Sequence, residues 1–280
     1  MKLTIITINR NNASGLQKTI KSVFSQTSQE FEYIVIDGAS TDGSKEIIEH
    51  FSSHHLTSSP SHFLRWISEP DNGIYNAMNK GIRMAKGEYV QFLNSGDILV
   101  ANNVTEKMLR QLSIVNCQLS IIYGNMLKSL PKGILRDRGF AGRQPTLLDF
   151  YIGTLNHSPA YIQRSLFDKY GLYDEQLKIV SDWKWYLQAI IFGGEQIAYV
   201  NIDVTLFDMN GISTINVAQD RSERQQVLQS LLPTTILEDY EKHAFSIEQM
   251  QRIKRYTFAN KLVWWIERGL FKWETWKHIR

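Results

Sequence analysis

The chain of 280 residues has little of what marks a secreted, disordered or membrane-spanning protein. Its single cysteine, Cys117, leaves no disulfide to form within the chain. Six prolines and 17 glycines are too few for a collagen-like or low-complexity polymer, and 43% apolar residues suffice to bury a sizeable core in one or two domains. No stretch approaches the roughly 18 consecutive apolar residues of a membrane-spanning helix. The N-terminus opens into an apolar strand pattern, without the charged region and apolar core of a signal peptide. These absences point to an intracellular, cytoplasmic protein. Also missing are a Gly-x-Gly-x-x-Gly after the first strand, a Walker A lysine loop and a Ser or Cys in a nucleophile elbow, which argues against dehydrogenases, P-loop NTPases and elbow hydrolases.

The body has no basic excess; that excess is concentrated at the end. Residues 251–280 hold eight Lys or Arg against two Glu, so they contribute +6 to a net charge of +3 and leave the rest at −3. A nucleic-acid binder would carry its basic stripe on the folded body, so no nucleic-acid partner is expected.

What is present is an alternation of strand and helix patterns over the first hundred residues. Apolar runs at 2–8, 33–36, 64–68 and 89–93 are each followed by helix-like periodicity, at 14–25, 43–51, 73–85 and 103–113. Continuous apolar strands rather than alternating ones predict a sheet covered on both faces, with parallel strands and right-handed crossovers. Ser14 with Gln17 has capping-box spacing, and Ile74, Met78 and Ile82 form a helical stripe. From 115 to 210 the strands are shorter, at 120–125, 158–162 and 198–202, and one helix buries Trp183, Tyr186, Leu187, Ile190 and Ile191. Residues 216–280 read as a helical extension with breaks near Pro233, Ser246 and Gly269. The segment 52–62, with His54, His55 and His62, reads as a polar surface loop, since no Cys or carboxylate accompanies the histidines as a metal ligand.

In open parallel sheets ligands sit beyond the carboxyl ends of the strands. Here those ends deliver Thr7 and Asn9, then Asp37, then Glu69 and Asp71, then Asn94, Ser95, Gly96 and Asp97. A rim carrying Asp37, Asp71 and Asp97 without a phosphate-binding glycine loop suggests that a divalent cation, Mg²⁺ or Mn²⁺, mediates binding of an anionic ligand. Asp97 behind the small pair Ser95 and Gly96 suits that role, while a plain turn capping the next helix accounts for the same four residues.

The runs TIITINRN (4–11), YIVIDGASTDGS (33–44), EPDNGIYNAMNKGI (69–82) and GEYVQFLNSGD (87–97) together resemble family 2 glycosyltransferases of the GT-A fold, in order and in spacing. The segment 157–188 resembles the acceptor side of that family and NGIS (210–213) its later loop. The NSGD form resembles a subgroup with roles in bacterial surface polysaccharides. The resemblance implies a GT-A domain over 1–215, with a nucleotide-binding half (1–100) and an acceptor-side half (101–215), before the extension 216–280. It implies an inverting transferase moving a sugar from a nucleotide-diphosphate sugar to a hydroxyl of a glycan or polyprenyl-linked acceptor. By position, Asp37 matches the aspartate that binds the base, with Thr7 and Asn9 beside it. Asp71 matches a nucleoside-pocket position, Asn79 and Lys80 a polar pair facing the donor, and Asp97, behind Asn94 and Ser95, the metal aspartate. Asp182 matches the catalytic base.

Three positions depart from the family pattern. Asn94 to Asp97 leave one carboxylate where Asp-x-Asp is common, residues 37–40 read Asp-Gly-Ala-Ser instead of Asp-Asp-Gly-Ser, and Ser181 replaces an acidic neighbour of the base. The thinned metal motif keeps open a second reading, a degenerate nucleotide-sugar-binding scaffold subunit. A nucleotidyltransferase fits less well, because the glycine-rich loop it needs near the first strand is absent.

Several residues have two readings. His157 is a contact to acceptor or phosphate, or a satisfied structural histidine. Trp183 and Trp185 are a stacking platform for a sugar, or core. The basic segment around 128–143, with Lys128, Lys132, Arg136, Arg138 and Arg143, guides an anionic donor, or is simply solvated. In the tail, Leu262, Trp265, Ile266, Leu270, Trp273 and Trp276 share a helical face near Lys261, Arg268, Lys272 and Lys277. That face suits either peripheral contact with the inner face of the plasma membrane or a protein contact such as a homodimer.

Overall fold

The computed structural model describes residues 1–28, 30–54, 64–114, 119–209, 216–254 and 256–278. Cys117, His55, His62 and the NGIS segment lie outside the described residues. The chain divides into two compact units, Met1–Val227 and Leu228–Arg280.

The first unit is built on one nine-stranded sheet. β1 (Leu3–Asn9), β2 (Phe31–Asp37), β3 (Leu64–Ser68) and β4 (Tyr89–Phe92) lie in the order β3-β2-β1-β4, all parallel. The sheet continues through β8 (Ala160–Gln163), β6 (Ile121–Leu130) and β9 (Ile197–Phe207) to the two-residue β5 (Ile98–Leu99), and β7 (Gly133–Asp137) forms a hairpin on β6. Antiparallel pairing enters where β8 meets β4 and β6, while the seven-residue ladders, β1 with β2 and β6 with β9, are parallel. The sheet is therefore mostly parallel and flanked by helices, as expected.

Every residue of β1 and β2 is buried, which explains why both read as continuous apolar runs. α1 (Ala13–Phe24) covers one face with Leu16, Ile20 and Val23 in the main core, beside Leu3, Ile5 and Phe31. α2 (Ser44–His54) follows β2. α3 (Ile74–Met84) packs so closely on β1 that a Cβ on Gly81 would lie 2.5 Å from Ile6 Cγ2. Of its expected stripe, Met78 and Ile82 are buried and Ile74 is half-buried. α1 is capped by Asn12, whose side chain accepts from the Gly15 N–H at 3.1 Å, so the capping role expected of Ser14 falls two residues earlier.

α4 (Val104–Ile114), α5 (Leu147–Ile152) and α6 (Ser165–Tyr170) complete the flanks, and α7 (Ser181–Tyr186) continues as a π-helix over Leu187–Phe192. The basic segment is no open loop. It contains the β6–β7 hairpin, in which Lys128 pairs with Asp137 at 2.9 Å and Arg136 with Asp203 at 2.7 Å, while Arg143 pairs with Asp149. Three of its five cations are thus engaged within the fold.

α8 (Val217–Leu231) carries the first unit past the expected boundary at 215, because Glu223 and Arg224 bind back onto it. α9 (Thr234–Lys254) begins after Pro233, as expected. It runs through Ser246, and α10 (Thr257–His278) runs through Gly269. A mid-helix glycine costs only about 1 kcal/mol, too little to end a helix by itself.

Candidate active site

The strand register assembles the rim. Asn9 pairs with Asp37 and Asp37 with Ser68 across three adjacent strands, so their last residues stand in a row. The Asp37 carboxylate accepts from Asn9 Nδ2 at 2.8 Å, from Ser40 Oγ at 2.6 Å, from Ser68 Oγ at 2.7 Å and from the Ser40 N–H at 3.0 Å. Burial pushes its pKa up, and the four donors outweigh that and hold it below the ordinary carboxylate range. Asp37 is fully buried, and its visible role is to brace Asn9 and the turn at Ser40.

Beside this row a cleft of about 1720 Å³ opens along the sheet's carboxyl edge, larger than the roughly 300–1,000 Å³ of a common small-molecule pocket. Asn9, Asp71, Asn94, Ser95, Asp97, His157, Asp182 and Trp183 all line it. Asn9 Oδ1 and Asn94 Oδ1 are buried without a partner among the described residues. They are the acceptors a polar ligand would satisfy. The Asp71 side chain is 5% exposed, receives the Gly73 N–H at 3.0 Å and lies 3.5 Å from Arg10. A Cβ on Gly38 would sit 2.2 Å from Asp71 Oδ2, so the space a second aspartate would need after Asp37 is taken by the Asp71 carboxylate.

Asp97 is only 3% exposed and accepts from the Asp208 N–H at 2.8 Å. Burial pushes its pKa up to about 7; the Asp208 N–H opposes this and the Asp208 charge adds to it. Gly96 has φ +108°, and a Cβ there would lie 2.4 Å from Asp208 Oδ2. The glycine is therefore required both by its backbone and by the carboxylate packed against it. Tertiary structure thus supplies a second carboxylate that the thinned motif lacked, from the end of β9. A pair of carboxylates of which one is buried and hard to ionise fits a divalent cation with oxygen ligands. Among the described residues no group of three or more His, Cys, Asp and Glu gathers to hold a metal, so waters or ligand oxygens would complete its shell.

Asp182 sits in the first turn of α7, half-buried, with Oδ1 accepting from the Tyr75 hydroxyl at 2.8 Å. Tyr75 also lies against the Ile179 carbonyl. The segment leading into α7 is tied down by Glu223, whose carboxylate accepts from the backbone N–H groups of Lys178, Ile179 and Val180 at 2.9 to 3.3 Å. His157 stacks on Phe92 at 4.8 Å and shares a hydrogen bond with the Tyr173 hydroxyl at 2.9 Å. Burial lowers its pKa, with Asp182 opposing, so it lines the cleft as a neutral imidazole.

Besides Asp37, which does not line the cleft, four expected site residues have other roles. Thr7 is fully buried, donating to the Leu93 carbonyl and accepting from Tyr33. Asn79 spends its amide on the Tyr173 backbone and Glu175. Lys80 pairs with Glu69 at 2.8 Å and donates to the Pro70 carbonyl. None of these three lines the cleft. Trp183 does, yet it is 1% exposed, donates to the Phe150 carbonyl at 2.9 Å and carries the Arg224 guanidinium 4.6 Å from its ring. With Trp185 equally buried, neither offers a free face for a sugar. Asp208, Tyr75 and Glu223 were missed. A carboxylate after the apolar run 197–207 obeys the same strand-end rule that found Asp97, whereas nothing local marks Tyr75 or Glu223.

Comparison with known proteins gives the family and the fold. The profile of glycosyl transferase family 2 matches residues 4–171. A glycosyltransferase of Mycobacterium tuberculosis is 32% identical over 199 residues, covering 68% of this chain and 69% of that protein. A PGL/p-HBAD biosynthesis glycosyltransferase of Mycobacterium bovis is 24% identical over 226 residues, covering 79% and 82%. Among solved structures, S. aureus TarS 1-349 in complex with UDP superposes with a TM-score of 0.60 at 19% identity, over 74% of this chain and 60% of that one. The mannosyltransferase PcManGT of Pyrobaculum calidifontis, in complex with GDP-Man and Mn²⁺, gives 0.59 at 18%, over 74% and 56%. This chain thus spans little more than half of those two structures, and the likeness to them is one of GT-A fold. With the family profile covering more than half of its length, the chain is a glycosyltransferase and belongs to glycosyltransferase family 2.

Proposed function

We propose that the protein is an inverting transferase that moves a sugar from a nucleotide-diphosphate sugar to a hydroxyl of a glycan or polyprenyl-linked acceptor, in the synthesis of a surface polysaccharide or glycolipid. The observation that carries this reading is one cleft with the acidic pair Asp97 and Asp208 and, separately, Asp182 with one oxygen held by Tyr75.

In the proposed reaction the acceptor oxygen attacks the anomeric carbon as the bond to the diphosphate oxygen breaks. The nucleoside diphosphate leaves, the acceptor proton passes to Asp182, and the anomeric configuration inverts. With Oδ1 engaged by Tyr75, Oδ2 is the oxygen left to take the proton. The acceptor hydroxyl becomes acidic only as the new bond forms, so the proton moves to the carboxylate late in the step. Neutral His157 adds a polar contact to the cleft wall without adding charge. Asn9 and Asn94 would bind donor hydroxyls or base through their unpartnered oxygens. Mn²⁺ or Mg²⁺ would be held by Asp97 and Asp208, and when bound it supplies charge neutralisation for the departing diphosphate. The second carboxylate also favours catalysis over a degenerate scaffold subunit, since the metal motif is no longer reduced to one residue. TarS in complex with UDP-GlcNAc and PcManGT with GDP-Man and Mn²⁺ are consistent with a nucleotide-sugar donor and a divalent cation.

The test is stabilisation of the protein by UDP, GDP, dTDP and CMP with and without Mn²⁺ or Mg²⁺, followed by transfer assays with the sugar nucleotides of the base that responds. A ligand at 100 times its dissociation constant adds about 2.7 kcal/mol to folding. Asp182→Asn is expected to keep that response and lose transfer by roughly 10²- to 10⁴-fold. Full turnover in Asp182→Asn would remove it as the base.

A further inference from the structure

The last helix, Thr257–His278, carries a surface that the transfer reaction does not use. Phe258, Leu262, Trp265, Ile266, Leu270 and Trp273 are each more than half exposed. At about 100° per residue they fall in one sector roughly 140° wide. Lys261, Arg268 and Lys272, all exposed, run along one border of that sector, and Glu267 and Glu274 lie beyond the opposite border. On the side away from the sector, the Arg268 guanidinium lies 5.0 Å from the half-exposed Trp264 ring, and Phe271 is exposed there too. Exposed apolar stripes of this extent mark contact surfaces.

We propose that this helix lies in the headgroup layer of an anionic lipid bilayer, with the aromatic sector turned into the acyl boundary and the cationic border on the lipid phosphates. It is not a span, since no described helix is long and apolar enough to cross a membrane. Tryptophan, with an apolar body and a polar N–H, suits the boundary between acyl chains and water. Charge complementarity selects the occupant: residues 251–280 carry +6, with eight Lys or Arg against two Glu. A second copy packed antiparallel is a poor partner, since the border of Lys261, Arg268 and Lys272 would meet its own image.

The inference deepens the reading of a lipid-linked acceptor but stands on the helix alone, so the two fail separately. The test is flotation of the full chain with vesicles of phosphatidylglycerol mixed into phosphatidylcholine, against pure phosphatidylcholine. Each cation near an anionic surface raises affinity about fivefold, so three predict a preference of roughly hundredfold that declines with salt. Tryptophan emission should shift to the blue on binding. Trp265→Glu combined with Leu270→Glu changes only exposed positions. That variant is expected to keep the melting temperature and any response to nucleoside diphosphates while losing flotation. Equal binding of wild type to both vesicles, flotation retained in the variant, or a dimer in solution that the variant dissociates would each overturn the proposal.

Discussion

Glu223 offers a demanding test of how the site is held. Its side chain is 8% exposed and reaches from α8 to the three backbone N–H groups that precede α7, at 3.0 Å to Lys178, 2.9 Å to Ile179 and 3.3 Å to Val180, with Gln219 adding a donor at 3.0 Å. Lys178 is exposed and its N–H can turn to water, whereas Ile179 and Val180 are 6% and 1% exposed. Glu223→Ala therefore orphans two buried donors at about 1–3 kcal/mol each, or about 2–6 kcal/mol together. That is a large share of the roughly 5–15 kcal/mol that holds a typical domain together. Glu223→Gln keeps the shape and one acceptor oxygen, so it should cost less than half as much. Urea denaturation measures both variants, and hydrogen exchange should show faster exchange at 178–182 before global unfolding. Because Asp182 lies two residues beyond the tether, transfer should fall in kcat more than in KM. A loss below about 0.5 kcal/mol in Glu223→Ala, the range of an ordinary surface change, would refute the reasoning.

Other expectations follow from the same contacts. Asp208→Asn should weaken Mn²⁺-dependent stabilisation by a nucleoside diphosphate roughly tenfold or more, because the site loses half its ligand charge. Without cation the same variant should be no less stable than wild type, since it relieves repulsion of Asp97; unchanged metal dependence would separate Asp208 from the site. His157 has a lowered folded pKa because burial favours its neutral form. Its contribution to stability is therefore full above the unfolded value of about 6.5 and is lost as pH falls below it towards the folded value. Melting curves from pH 7.5 to 5 should show a decline that His157→Gln lacks, and parallel curves would contradict a neutral buried imidazole. Trp183→Phe removes the Phe150 hydrogen bond and the Arg224 contact and should cost about 1–3 kcal/mol in urea. A change confined to sugar affinity would instead restore the platform reading.

Sequence by itself determined the layered α/β frame of the first hundred residues, because strands buried on both faces leave continuous apolar runs and helices leave a period of 3.6. It also located the rim, since strand ends are local features and Asn9, Asp71, Asn94, Ser95 and Asp97 all reach the cleft from them. Only the tertiary structure decided which polar residues face a ligand. Thr7 and Asn79 look identical in sequence whether they donate to a ligand or to Leu93 and Tyr173, because hydrogen-bond direction is set by neighbours 86 and 94 residues away. Trp183 carries the periodicity of a core residue and of a binding platform alike, and packing chose core. The pairing of Asp97 with Asp208 joins residues 111 apart through the antiparallel contact of β5 with β9. The grip of Glu223 on the approach to α7 likewise depends on a helix returning over a segment more than forty residues earlier. Local periodicity reports burial, one residue at a time. Which buried or half-buried groups share a proton, a charge or a cation depends on long-range packing, and that is where the chemistry of this site is assembled.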